Sequence, residues 1–192
     1  MLQLFIDHLQ QEVELTSEDQ DFILKNTRIK KLKRGEFLLK GGEVSKAFFF
    51  NLRGFIRLFY LQEGEEKTAY FYPKNTFISA YASFIRQEPA EFYLQATEKS
   101  EVIVIGKEEA QKFLTYDPKF ALLARMAMEE ELIHYQKMVS SLLTQKAEQR
   151  FEQLLMERPE IFQRVPQLQI ASYLGIKAES LSRIKKRLSQ KP

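Results

Sequence analysis

The chain has 192 residues, 44% of them hydrophobic and 29% charged, enough apolar mass for a real core and too much for a disordered polypeptide. It has no cysteine, which excludes disulfides, thiolate zinc sites, cysteine nucleophiles and cysteine-held iron–sulfur clusters. The net charge of +3 is uneven: residues 165–192 hold six basic side chains against one acid, Glu179, a net of +5 that leaves −2 on the rest.

A basic end on a mildly acidic body points to a polyanion touched by that end, with a merely solvated tail as the plain alternative. The two histidines, His8 and His134, are too few and too distant for a multi-histidine metal or haem site. Each is expected to be a packing or surface residue, and no cofactor is expected. The longest mostly apolar stretch, around 47–60, is broken by Asn51, Arg53, Gly54 and Arg57 and cannot span a bilayer. The start Met1-Leu2-Gln3 lacks the order of a signal peptide, so a cytoplasmic protein with no membrane partner is expected.

In chain order, residues 1–27 read as helical. Leu4, Phe5, Leu9 and Val13 fall at helical spacing, and Ser17 is the expected N-cap of a second helix. From Ile29 the texture changes to short β-rich runs at 29–33, 36–40, 47–52, 55–61, 67–72, 92–97 and 102–105, with glycines between them. Many short strands at near-regular spacing predict an antiparallel β-roll or jelly roll. Residues 77–86 are less regular and leave room for a short helix.

After Lys107 the pattern is helical again. A short helix over 108–114 precedes a long one from about Pro118 to Leu143. On the long helix Phe120, Leu123, Ala127, His134 and Met138 trace one stripe, and Leu122, Met126, Leu132, Ile133 and Val139 fill another. A helix apolar on two flanks packs on its own domain with one and on a partner with the other, so it is read as self-associating rather than as an ordinary buried connector. A helix over 146–157, a break at Pro159 and two short helices complete the chain. The expected class is α+β: a β-roll sensor over residues 1–116, a long dimerisation helix over 117–143 and a helix-turn-helix unit over 144–192.

The run from Gln167 to Lys186 is the most informative. Two helices crossing steeply need a small residue where they approach, which is Ala171, and a sharp turn needs a residue free to take positive φ, which is Gly175. Ile170, Leu174, Ile176, Leu181, Ile184 and Leu188 supply the inward stripe. The polar face offers Lys177, Ala178, Glu179, Ser180, Ser182, Arg183, Lys186 and Arg187. An arginine there can bond a guanine edge and a glutamate can accept from cytosine N4, while the lysines and Arg187 lie where phosphates would run. Lys191 is assigned to solubility.

With those residues in place, Glu179-Ser180-Leu181-Ser182-Arg183-Ile184 resembles the recognition-helix core of the Crp–Fnr family of transcription regulators. Lys33-Arg34-Gly35-Glu36, Gly41-Gly42-Glu43 and Leu52-Arg53-Gly54-Phe55-Ile56-Arg57-Leu58 are similar to the glycine-marked hairpins of a cyclic-nucleotide-binding-like roll. The resemblance spans nearly the whole chain. It implies a homodimer along the long helix, double-stranded DNA with a near-palindromic operator as partner, and RNA polymerase as a further partner.

Three departures from the pattern matter. Where cAMP-binding members carry a Gly-Glu pair and a phosphate-binding arginine, this chain has Thr76-Phe77-Ile78-Ser79-Ala80-Tyr81 and Glu88-Pro89-Ala90-Glu91-Phe92, so cAMP is not expected as the effector. Ala178 stands where many members present a base-contacting Arg or Ser. The sequence ends at Pro192, so the usual β-wing and its phosphate contacts are expected to be absent.

Tyr70, Tyr72, Phe77, Tyr81, Phe84 and Phe92 crowd the cassette region. An aromatic effector pocket and a filled, ligand-free core both fit them, and packing is the first role of aromatics. No catalytic or metal-binding set emerges, since the barrel strands carry no histidine. A DNA-binding regulator without enzymatic activity is the expectation; the rival is a ligand-binding or interaction module whose bihelical end docks a protein.

Overall fold

The computed structural model describes residues 2–189, and the side chains of all but the last two of these; Leu188 of the expected inward stripe and the tail residue Lys191 lie outside that description. Two helices, α1 (Leu2–Leu9) and α2 (Ser17–Asn26), precede β1 (Arg28–Leu32), β2 (Phe37–Leu39), β3 (Ala47–Arg53), β4 (Ile56–Gln62), β5 (Glu65–Tyr72) and β6 (Thr76–Ile78). Helix α3 (Tyr81–Arg86), β7 (Tyr93–Ala96) and β8 (Ser100–Gly106) complete the roll. Then come α4 (Lys107–Tyr116), α5 (Pro118–Thr144), α6 (Ala147–Glu157), α7 (Ile161–Arg164), α8 (Gln167–Tyr173) and α9 (Ala178–Ser189). The fold is α+β, as expected.

The strands form two four-stranded sheets, β1-β8-β3-β6 and β2-β7-β4-β5, with antiparallel pairings. Their inner faces enclose Phe49, Ile56, Leu58, Leu94, Val102 and Val104. The outer faces are apolar as well. Phe50, next to Phe49 on β3, points the other way and packs with Phe5, Ile6 and Ile23 of the N-terminal helices and with Phe113, Phe120 and Leu123 of α4 and α5. Both faces of β3 are therefore covered, which is why its sequence runs Ala-Phe-Phe-Phe instead of alternating. Burying each such phenylalanine contributes about 1.5–3 kcal/mol.

Turn chemistry fixes the hairpins. Gly54, between β3 and β4, has φ +93°, and a Cβ there would meet the Ser100 hydroxyl at 2.2 Å, so both conformation and space demand glycine. The N-terminus of α5 has Pro118 in its first turn and Asp117 as cap, whose carboxylate accepts from the Lys119 amide at 2.9 Å.

The structure departs from the sequence reading in three places. The cap of α2 is Thr16 and not Ser17, because Asp19, three residues on, closes a reciprocal capping box with Thr16. Residues 76–78 form a strand, β6, too short to show a period. A further four-residue helix, α7, follows Pro159. Among the described residues no helix is long and apolar enough to cross a membrane.

The Asp19 carboxylate also receives a 2.7 Å bond from Lys119, tying α2 to the start of α5. Burial pushes its carboxyl up, but the bonds from Lys119 and Thr16 outweigh that and hold it below the ordinary aspartate range. Stability from this carboxylate is therefore complete above the ordinary range and lost as pH falls through the lowered value. Asp19→Asn should lower the melting temperature near neutral pH, and its deficit against the parent protein should close below about pH 4. Melting curves across that range check this, and a deficit independent of pH would exclude the charged pair as its source.

Candidate nucleic-acid interface

The apolar residues of the last four helices, α6 to α9, make a further core. Phe151 and Leu154 of α6, Ile161 of α7, Ile170 and Ala171 of α8, and Leu181 and Ile184 of α9 are buried together. Leu174 and Ile176 close the turn between α8 and α9, where Gly175 takes φ +67°. A Cβ on Gly175 would meet only the Arg150 guanidinium, at an ordinary 3.5 Å, so glycine serves the backbone angle here and not the space. The Ile176 amide donates to the Ala171 carbonyl at 3.0 Å, tightening the turn. Arg150, from α6, donates to the Leu174 carbonyl at 2.6 Å and to the Gln145 carbonyl at 2.6 Å. Its role was not visible in the sequence, because its partners are backbone carbonyls, which carry no side-chain signal.

Opposite the buried stripe, α9 and the residue before it expose Lys177, Glu179, Ser182, Arg183, Lys186 and Arg187. Ser180 is half-buried and accepts from Arg183 at 3.2 Å. Ala178 packs partly against the bihelical core. Arg187 pairs with Glu148 of α6 at 2.5 Å, and Lys185 lies over the Phe162 ring at 5.3 Å. The expected polar residues thus share one face, with Ala178 at its buried margin.

The bihelical unit sits on the outer face of the second sheet, where Phe55 and Phe71 join its core. The contact has a polar seam along β5, the free edge of that sheet. The Ser172 hydroxyl accepts from the Thr68 amide at 2.9 Å and donates to the Glu66 carbonyl at 2.7 Å, filling the hydrogen-bonding role of a missing strand. Arg158 donates to the Phe71 carbonyl at 3.1 Å and to the Tyr70 hydroxyl at 2.8 Å. Beneath the seam, the buried Arg57 holds the Thr68 hydroxyl at 2.9 Å and the Glu66 carboxylate at 2.6 Å. The β4–β5 turn carries Glu63, Glu65 and Glu66, and Glu65 is held below the ordinary carboxylate range, first by its bond from Lys67 and in lesser part by the charge of Lys177. An acidic hairpin tip therefore stands beside the start of α9.

Helix α5 turns its Phe120 and Leu123 stripe to the roll. Away from that stripe Met128, Leu132, Val139 and Leu142 are exposed. Their spacing of four, seven and three fits the repeat of a coiled-coil seam.

Between α5 and the roll lies a cavity of about 30 Å³ bordered by Tyr70, Tyr72, Phe77, Glu131, His134 and Tyr135. Three of the six aromatics considered for an effector pocket, Tyr70, Tyr72 and Phe77, meet there. Phe84 packs on Phe48, Tyr81 lies by the same ring and Phe92 meets Tyr60. Glu131 accepts from the Tyr72 hydroxyl at 3.3 Å and the Ser79 hydroxyl at 3.2 Å, and burial raises its carboxyl nonetheless. Tyr135 is pushed up to about 12 by burial and the nearby Glu131. A space that holds about one water and is bordered by Glu130 and Glu131 does not fit a cyclic phosphate.

The family model of the cyclic nucleotide-binding domain matches residues 29–117, from the first strand to the threshold of α5. No curated protein matches the sequence significantly. Solved structures do. FixK2 from Bradyrhizobium japonicum superposes with TM-score 0.72 at 17% identity, over 85% of this chain and 84% of that one. The c-di-GMP-responsive global regulator CLP of Xanthomonas campestris gives 0.70 at 18% identity, over 88% and 89%. The catabolite activator protein of Thermus thermophilus gives 0.57 at 17% identity, over 95% and 87%. At such identities the likeness is one of fold.

Removing the Ser172 hydroxyl leaves the Thr68 amide and Glu66 carbonyl without their partner. Ser172→Ala should destabilise the docked unit by about 1–2 kcal/mol and speed hydrogen exchange at the Thr68 amide. Unchanged protection of that amide would show that the edge contact does not hold the unit in solution.

Proposed function

We propose that the protein is a Crp–Fnr-type transcription regulator, without enzymatic activity, that binds a near-palindromic operator as a homodimer and does not respond to cAMP. The observation that carries this is the face of α9. A helix held by Ile170, Ala171, Leu174, Leu181 and Ile184 presents Glu179, Ser182, Arg183 and Lys186 to solvent as one surface. In this reading Glu179 and Arg183, four apart on that face, meet base edges in the major groove, and Lys177 and Lys186 meet phosphates. Arg187 joins the phosphate contacts by exchanging Glu148 for DNA.

The exposed seam of α5 supports pairing of two chains, and packing along it would set two recognition helices about one DNA turn apart, roughly 34 Å. The acidic cavity and the absence of arginine at the phosphate position support an effector other than a cyclic nucleotide.

Selection of bound sequences from random duplex DNA should return a two-fold-symmetric consensus. On that operator Arg183→Ala should lose about 1–3 kcal/mol of discrimination at one base pair, while Lys186→Ala should weaken all duplexes alike and flatten the salt dependence. Equal losses on operator and random DNA for Arg183→Ala would refute its base-reading role. Absence of salt-sensitive binding to any duplex would instead favour a bihelical unit that docks a protein. The dimer is tested separately: Leu132→Asp with Val139→Asp should turn a two-chain mass into a one-chain mass by light scattering, with helix content kept. A persisting dimer would move the interface off α5.

A further inference from the structure

The cavity between α5 and the roll is bordered by a carboxylate that has no counter-ion. Glu131 of α5 accepts there from the Tyr72 hydroxyl at 3.3 Å and from the Ser79 hydroxyl at 3.2 Å. Both bonds are long, since a hydroxyl donating to a charged acceptor draws in to about 2.5–2.7 Å. An ionised carboxylate has room for about four bonds, so two long ones leave its charge poorly met. Among the described residues Glu131 enters no ion pair. Taking a charge out of water is costly unless it is paired, and burial accordingly raises the Glu131 carboxyl.

The surroundings supply no cation. Among the described residues no lysine or arginine borders the space. Burial, and then the charge of Arg158, hold His134 below the ordinary histidine range, so it is neutral near pH 7. Arg158 itself is spent on the Tyr70 hydroxyl and the Phe71 carbonyl. The rest of the wall is aromatic or hydroxyl-bearing, with Tyr70, Tyr72, Phe77, Tyr135 and Thr76. Aromatic faces attract cations, and Tyr70 already carries one, the Arg158 guanidinium 5.1 Å from its ring centre.

A side chain at this place would also serve simply to fasten α5 to the roll through two hydroxyls. That role needs no charge, and a glutamine would fill it without the cost of burying one. Nor does it need a water-sized space kept open beside the acid. We propose that this cavity binds an ammonium group, as the free ion or as the end of a primary amine, held by Glu131 and the hydroxyls around it. The space admits about one water, which suits an ammonium group and shuts out bulkier organic cations. A hard metal ion asks for about six or more oxygen ligands, and among the described residues no three metal-binding side chains gather. A group bonded to Glu131 and to the roll's hydroxyls would fasten α5 where it meets the sheets. Its role as the regulator's effector rests on the function proposed above; the binding does not.

Calorimetric titration of the full chain without DNA, near pH 7 and at constant ionic strength, tests the site. One saturable site per chain is expected for ammonium chloride. Potassium, which has no N–H to donate, and tetramethylammonium, which is also too large, should each bind at least about tenfold more weakly. Butylammonium separates the two sources: affinity matching that of ammonium assigns the site to the end of an amine, and a weaker one to the free ion. Glu131→Gln keeps a partner for both hydroxyls, so it should abolish the site and leave the melting temperature close to the parent's. Should that variant fail to fold, Tyr72→Phe, which removes one bordering hydroxyl and keeps the ring, should weaken ammonium severalfold. No saturable ammonium binding, equal affinity for potassium, or undiminished binding by Glu131→Gln would each overturn the proposal, whatever the chain does with DNA. A chain that binds ammonium and no duplex would keep this site and lose the regulator reading.

Discussion

Both sheets of the roll are apolar on two faces, and everything attached to the roll is arranged by that fact. Phe49 and Phe50 are neighbours on β3 yet belong to different cores, and Phe71 and Tyr72 on β5 divide the same way. A sheet of this kind cannot leave an outer face to water without exposing a large apolar patch. The first sheet solves this with α1, α2, α4 and the start of α5. The second has Phe55 and Phe71 outermost, and the cover it finds is the bihelical unit. The unit that carries α9 is thus also the lid of the roll's second sheet, and its position cannot change without uncovering those two phenylalanines.

Apolar cover is non-directional, so direction must come from elsewhere. It comes from the edge of β5, where Ser172 stands in for a strand and Arg158 takes the Phe71 carbonyl. Arg57, buried below, keeps Thr68 and Glu66 in place for that contact. This register sets α9 with its first residues beside the acidic tip of the β4–β5 hairpin. At that tip Glu66 is paired with Arg57 and Glu65 with Lys67, and Lys177 adds its charge beside Glu65.

The strand runs, the long helix and the packed core of the α8–α9 pair were legible because each rests on local spacing: Ala171 four before Gly175, or the glycines between β runs. What was not legible is non-local. The capping residue of α2 is decided by Asp19 reaching back to Thr16, so the choice between adjacent Thr16 and Ser17 needed the carboxylate's partner. Strand β6 has three residues and exists because Phe49, Phe50 and Asn51 pair with it. The six aromatics near the cassette looked like one cluster in the sequence, yet their rings divide between the α5 cavity and separate partners, Phe48 and Tyr60, because Tyr81 and Phe84 sit on helix α3 and Phe92 lies in the loop ahead of β7. Arg158 and Ser172 carried no motif, since what they bind is backbone nearly ninety to over a hundred residues away.

The two openings of the roll have opposite chemistry, and the difference follows from what borders each. Toward α5 the roll meets a helix that brings Glu130 and Glu131, the Tyr72 and Ser79 hydroxyls donate to Glu131, and the space there is about 30 Å³. Toward β1 and β2 the gap between two strand edges is bordered among the described residues by Arg28, Lys30, Lys31 and Lys46, all of them exposed. Phe49, on the floor of that second opening, is followed on the same strand by Phe50, which packs against Phe5 and the core shared with α5. Pressure on one face of β3 is therefore felt on the other, because a close-packed interior transmits strain and does not absorb it.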